Sequence, residues 1–140
     1  MTLTERYSKI PYVDKGRNRY GVDCYGLLHL VYYQERNIDL PLLTSEYNCA
    51  IRVSYRNVKR NEGFFADWIE VDKPKKFDVG LFEMNGYLHI MICVDDRGQW
   101  GMHISEGSHV KVEKFSSLEF EHTLRGWYQY AGSPNQTASV

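Results

Sequence analysis

Apolar residues at Leu27, Leu28 and Val31 follow Cys24 at intervals of three, four and seven, the period of a helix with one face on a core. Asp23 directly precedes this run and is a good N-cap, so a helix is predicted from there to about Asn37. Ile38-Asp-Leu-Pro-Leu-Leu then reads as a linker, because Pro41 disfavours helix at Leu40. A second helix is predicted from Thr44 through Tyr47, Ile51, Tyr55 and Val58 to the basic pair Lys59-Arg60, which suits the negative end of a helix dipole. The stretch from Asn61 to Lys76 reads as loop.

From Phe77 the period shortens to two. Strands are predicted at Val79-Gly-Leu-Phe, Leu88 to Val94, Gln99 to Ile104, Val110 to Glu113 and Leu124 to Tyr130, with turn signals at Asn85-Gly86, Arg97-Gly98, Gly107 and Gly132. Alternation sends Leu88, Ile90, Ile92 and Val94 to one face and His89, Met91 and Cys93 to the other. In the next strand Trp100, Met102 and Ile104 share a face, leaving Gly101, His103 and Ser105 opposite. Helices first and strands afterwards predict an α+β fold, its antiparallel sheet packed on the Cys24 helix. One domain over residues 1–132 is expected, with a polar, frayed tail at 133–140.

A chain of 140 residues can bury roughly two thirds of its unfolded surface without disulfides or metal. With 17 basic and 18 acidic residues there is no electrostatic footprint for nucleic acid. The three cysteines are odd in number and lack a C-x-x-C pair, which argues against a disulfide framework and for a reducing compartment. The first residues lack the apolar centre of a signal peptide, and no run approaches the roughly 20 apolar residues of a membrane span.

Cys24 falls in the first turn of its helix, where unpaired N–H groups and the dipole favour thiolate. The alternative is a small apolar side chain buried under the helix, the usual fate of a free cysteine. Cys49 and Cys93 lie on apolar faces and read as structural, and His29, His109 and His122 as ordinary polar positions. If the strands carrying His89 and His103 form a hairpin with a loop of odd length, both histidines share a face, and centring the loop on Asp96 makes them near cross-strand partners. A four-residue loop would separate them. With that pairing His89 can deprotonate Cys24 while His103 fixes the tautomer of His89. Zinc on the same three side chains would consume the thiolate, and there is no H-E-x-x-H arrangement. No metal and no cofactor are expected.

Ile10-Pro-Tyr12, Gly21-Val-Asp-Cys-Tyr-Gly-Leu-Leu28, Phe77-Asp-Val-Gly-Leu-Phe82, Leu88-His-Ile-Met-Ile92 and Met102-His-Ile104 together resemble the NlpC family of papain-like cysteine peptidases, from about Tyr7 to Tyr130. Gly16-Arg-Asn-Arg-Tyr-Gly21 before the cysteine and Ile38-Asp-Leu-Pro41 after its helix resemble the branch found as phage tail-assembly proteins. The resemblance implies Cys24 as nucleophile, His89 as base, His103 as its orienting partner, Tyr12 as an oxyanion donor beside the Cys24 N–H, and Asp23 and Tyr25 at the substrate. It further implies a peptidoglycan stem peptide as substrate, cut between γ-D-glutamate and a diamino acid. Tail-tip proteins would be the partners, with assembly in the host cytoplasm and delivery in the virion tail. The sequence departs from the family in three places. Tyr25 replaces a common serine, Met91 replaces a glycine and so adds bulk near the site, and Phe77 replaces the glycine of Gly-Asp, a change expected to be structural. Two other readings are a non-catalytic tail-assembly module that retains the fold, and an intracellular acyltransferase or amidase using the same Cys and His.

Overall fold

Asp23 and Asn37 bracket the central helix of the computed structural model, which describes residues 2–42, 67–84 and 87–132. The predicted helix from Thr44 to Arg60, with Cys49, and the tail 133–140 lie outside the described residues. Among the described residues the elements, in chain order, are α1 (Leu3–Tyr7), β1 (Arg17–Asn18), β2 (Gly21–Val22), α2 (Cys24–Arg36), β3 (Trp68–Val71), β4 (Val79–Met84), β5 (Tyr87–Cys93), β6 (Trp100–His103), β7 (Lys111–Lys114), α3 (Leu118–Glu121) and β8 (Leu124–Tyr130). α2 stops near Asn37, as the sequence predicts; there Asn37 turns left-handed (φ 55°) and its N–H bonds the Tyr32 carbonyl.

A six-stranded antiparallel sheet in the order β3-β8-β4-β5-β6-β7 packs on α2. Leu27, Leu28 and Val31 on the helix meet Leu81, Leu88, Ile90, Ile92, Met102 and Ile104 on the sheet, all buried. Each such side chain contributes about 1.5–3 kcal/mol on leaving water. A smaller cluster of Phe82, Met91, Cys93, Phe115 and Phe120 fills the other face.

β3 is a strand where the sequence suggested a loop. Trp68 packs on Tyr32 of α2 and Tyr130 of β8, with ring centroids 5.5 and 5.2 Å apart. The Tyr32 hydroxyl donates to the Phe77 carbonyl, tying the same cluster to the start of β4. Residues 10–13 form a further link: Val110 N–H donates to Ile10 O, Tyr12 N–H to Ser108 O and Val13 N–H to Val22 O, each at 3.0 Å. This strap carries Tyr12 past the start of α2.

Candidate active site

The start of α2 is built around Asp23, whose side chain is fully buried. Asp23 Oδ1 accepts from Gly26 N–H at 2.7 Å and from the Arg17 guanidinium at 2.9 Å, while Oδ2 accepts from Lys15 N–H at 3.0 Å. Gly26 permits this closeness: a Cβ there would lie 1.9 Å from Gly16 O. The cap therefore fixes both the helix and the preceding loop.

Cys24, the first residue of α2, is buried and directs its thiol at the Leu88 carbonyl, 3.9 Å away. The Ile90 N–H also faces the sulfur. β6 pairs with β5 at Ile92↔Met102 and Cys93↔Gly101 only, so the thiol seats on an edge of β5 that β6 has left, touching the residues on either side of His89.

His89 Nε2 lies 2.7 Å from His103 Nδ1, the rings edge to face with centroids 4.9 Å apart. The loop from Asp95 to Gln99 is odd in length, so the shared face is found. Its register is not the one expected. Continuing the ladder from Ile92↔Met102 sets Met91 opposite His103, making the two histidines diagonal neighbours. Asp95 causes the offset by accepting from the N–H groups of both Gln99 and Trp100 at 3.0 Å. Behind the pair, His103 Nε2 is buried and lies 3.4 Å from Glu113 Oε1, a carboxylate oxygen that Lys111 Nζ approaches at 3.4 Å.

Electrostatics correct another expectation. Burial pushes the Cys24 thiol well above its ordinary range, and the Asp23 charge pushes it further, against smaller opposing effects from Arg17 and backbone N–H groups. Burial, with the neighbouring His103 and Lys111, lowers His89 to about 3, and burial followed by Lys111 lowers His103 to about 4. The resting site at neutral pH is thus a neutral thiol beside neutral imidazoles. The helix end does not make a thiolate here, because desolvation and an adjacent carboxylate outweigh it.

The sequence profile of the NlpC/P60 family matches residues 9–128. The chain belongs to the NlpC/P60 family. No curated protein matches it. An NlpC/P60 family protein of Bacillus cereus superposes with a TM-score of 0.64 at 18% identity, over 91% of this chain and 38% of that one. A protein of Staphylococcus aureus described as similar to lipoprotein, of the NLP/P60 family, gives 0.61 at 20% identity, over 91% and 39%. The NlpC/p60 domain of the peptidoglycan hydrolase SagA gives 0.58 at 21% identity, over 90% and 92%. The chain therefore spans about two fifths of the first two proteins and nearly all of the third domain, and the shared feature is the fold.

Within this NlpC/P60 domain, Tyr12 is half-buried beside Asp23 and Cys24; burial, then their charges, raise its phenol. Asp23 and Tyr25, expected at the substrate, both have polar atoms engaged inside the chain. The Tyr25 hydroxyl donates to Pro41 O at 2.6 Å, and Arg17 lies over its ring at 5.3 Å. Met91 does not narrow an open groove, being wholly buried with its methyl beside Gly101. Phe77 takes φ 77°, a left-handed conformation that suits the glycine it replaces. Sequence reasoning missed Glu113 and Arg17. The alternation of β7, with Lys111 and Glu113 on the His103 face, was the available signal for the first.

Proposed function

We propose that this chain is a thiol hydrolase that cuts an amide in peptidoglycan stem peptides, between γ-D-glutamate and a diamino acid, as a phage tail-tip or tail-assembly protein. The observation that carries it is the seat of Cys24 on the residues flanking His89, with His89 hydrogen-bonded to His103 at 2.7 Å. Since His89 Nε2 is engaged by His103, Nδ1 is the nitrogen left to serve the thiol. Cys24 Sγ attacks the amide carbonyl as its proton passes to His89. Collapse of the tetrahedral intermediate breaks the C–N bond, and the departing amine takes that proton. Water, deprotonated by His89, then cleaves the thioester and restores the thiol. Because thiol and imidazole are both neutral at rest, proton transfer accompanies attack. The Cys24 N–H and the Tyr12 hydroxyl are the oxyanion donors, and Asp23 and Tyr25 hold the helix start against which the substrate lies. The domain is taken as 1–132. The phage setting rests on the likeness of Gly16–Gly21 and Ile38–Pro41 to that branch, with assembly in the host cytoplasm and delivery in the tail.

One observation favours a second reading, a tail-assembly module without turnover: the thiol is buried and held neutral. Purified peptidoglycan incubated with the wild type and with Cys24→Ala, followed by mass spectrometry of released fragments, separates the two. Fragments made only by the wild type are expected, with new termini that identify the bond. Absence of release by either protein, alone or in assembled tail tips, would sink the hydrolase reading.

A further inference from the structure

His103 Nε2 is buried and has no hydrogen bond among the described residues. Its one polar neighbour of opposite character is Glu113 Oε1 at 3.4 Å. The groups around this ring are His89 from β5, Lys111 and Glu113 from β7, and the Phe120 ring from α3, edge to face at 5.3 Å. Lys111 approaches the same Glu113 oxygen at 3.4 Å. A nitrogen lone pair on this buried edge of the ring, aimed at a carboxylate, would be repelled, whereas an N–H there is attracted. The proton of neutral His103 consequently belongs on Nε2, leaving Nδ1 as an acceptor.

We propose that Glu113 is a positioning residue that sets the tautomers of both histidines, and so hands the thiol a free base. With His103 Nδ1 accepting, the 2.7 Å contact requires His89 Nε2 to donate. The lone pair of His89 then lies on Nδ1, where the proposed hydrolase mechanism needs it. This assignment rests on that mechanism for its purpose and extends the chain from Cys24 and His89 through His103 to a carboxylate on β7. Glu113 acts through His103. It acts by denying His103 the other tautomer, which would turn His89 Nε2 into an acceptor and place its proton on Nδ1, the nitrogen that the proposed mechanism assigns to the thiol.

The test is long-range ¹H–¹⁵N correlation of the histidine rings in the full chain at pH 7, without substrate, for the wild type, Glu113→Gln and Glu113→Leu. Both His89 and His103 are expected as Nε2–H tautomers in the wild type. Gln keeps an acceptor oxygen and the same tautomers, whereas Leu gives a mixture. Cys24 alkylation by iodoacetamide and fragment release from peptidoglycan are expected to fall about 10- to 100-fold in Glu113→Leu, and by less in Glu113→Gln. A proton on Nδ1 of His103 in the wild type overturns the proposal, and this measurement needs no variant to fold. Unchanged tautomers in a folded Glu113→Leu overturn it as well. Expected tautomers and their loss in Leu, in a protein that releases no peptidoglycan fragments, support the Glu113 assignment and overturn the hydrolase reading instead.

Discussion

Replacing Asp23 by Asn should weaken the fold while making the nucleophile more acidic. Asn is nearly isosteric, so its oxygen can still receive Gly26 N–H and Arg17, which reach Asp23 Oδ1 at 2.7 and 2.9 Å. Its amide NH₂ then faces Lys15 N–H, which donates to Oδ2 at 3.0 Å in the native chain. One buried N–H opposed by a donor costs about 1–3 kcal/mol. Arg17, whose side chain is 9% exposed, also loses the charge it neutralises, and breaking such a buried pair costs about 3–5 kcal/mol. The retained oxygen offsets part of both, leaving a net loss of about 3–4 kcal/mol. With a urea m-value of about 2 kcal/mol/M the midpoint should fall by roughly 1.5–2 M. The thiol moves the other way, because the Asp23 charge is, after burial, the main influence holding it protonated. Urea melts give the first quantity, and the pH profile of iodoacetamide labelling at the Cys24 peptide, read by mass spectrometry, gives the second. An unchanged midpoint, or a labelling profile displaced to higher pH, would refute the account of the cap.

Two further outcomes follow from the same geometry. His89 and His103, lowered to about 3 and about 4, bind fewer protons folded than unfolded below pH 6.5, so the stability they lend is present above that pH and lost as pH falls toward 4 and 3. Between pH 7 and 5 the loss should be about 2–4 kcal/mol, seen as a urea midpoint that falls less steeply with acid in a His89→Gln/His103→Gln double variant; equal slopes would contradict it. At Phe77, whose φ of 77° is left-handed, Phe77→Gly should be more stable than Phe77→Ala by about 1 kcal/mol, the reverse of their usual order, and Ala melting at or above Gly would remove the strain argument.

What the sequence made legible were features with a strong local cause. Asp23, the spacing of Leu27, Leu28 and Val31, and Asn37 define α2 within itself. Whether His89 and His103 share a face turned on the parity of the loop, which the sequence leaves open and the structure settles. The register depended on Asp95 gathering two N–H groups, which no alternation reveals. β3 escaped notice because its apolar pattern is weak, with Ile69 half exposed; Trp68 holds it through rings contributed by α2 and β8. The helices α1 and α3, of five and four residues, are too short for a period to show. The change from glycine at Phe77 is expected from the sequence to be structural, and only the backbone shows the strained angle it accepts.

The charge state of the site was the least legible part, because it is decided by competition. A helix N-terminus favours an anion by roughly 0.3–1 kcal/mol near the surface. Burial of a thiol and a carboxylate one residue away oppose that, and both arise from the same packing that places Cys24 on β5. Asp23 is needed to begin the helix and to hold Arg17 and the loop, so its effect on the thiol comes with the architecture. A site built this way is stable because it is closed and neutral. Reactivity must then come from proton transfer to His89 at the moment of attack, which is why the position of one proton, on Nδ1 or Nε2, matters more here than the pull of the helix end.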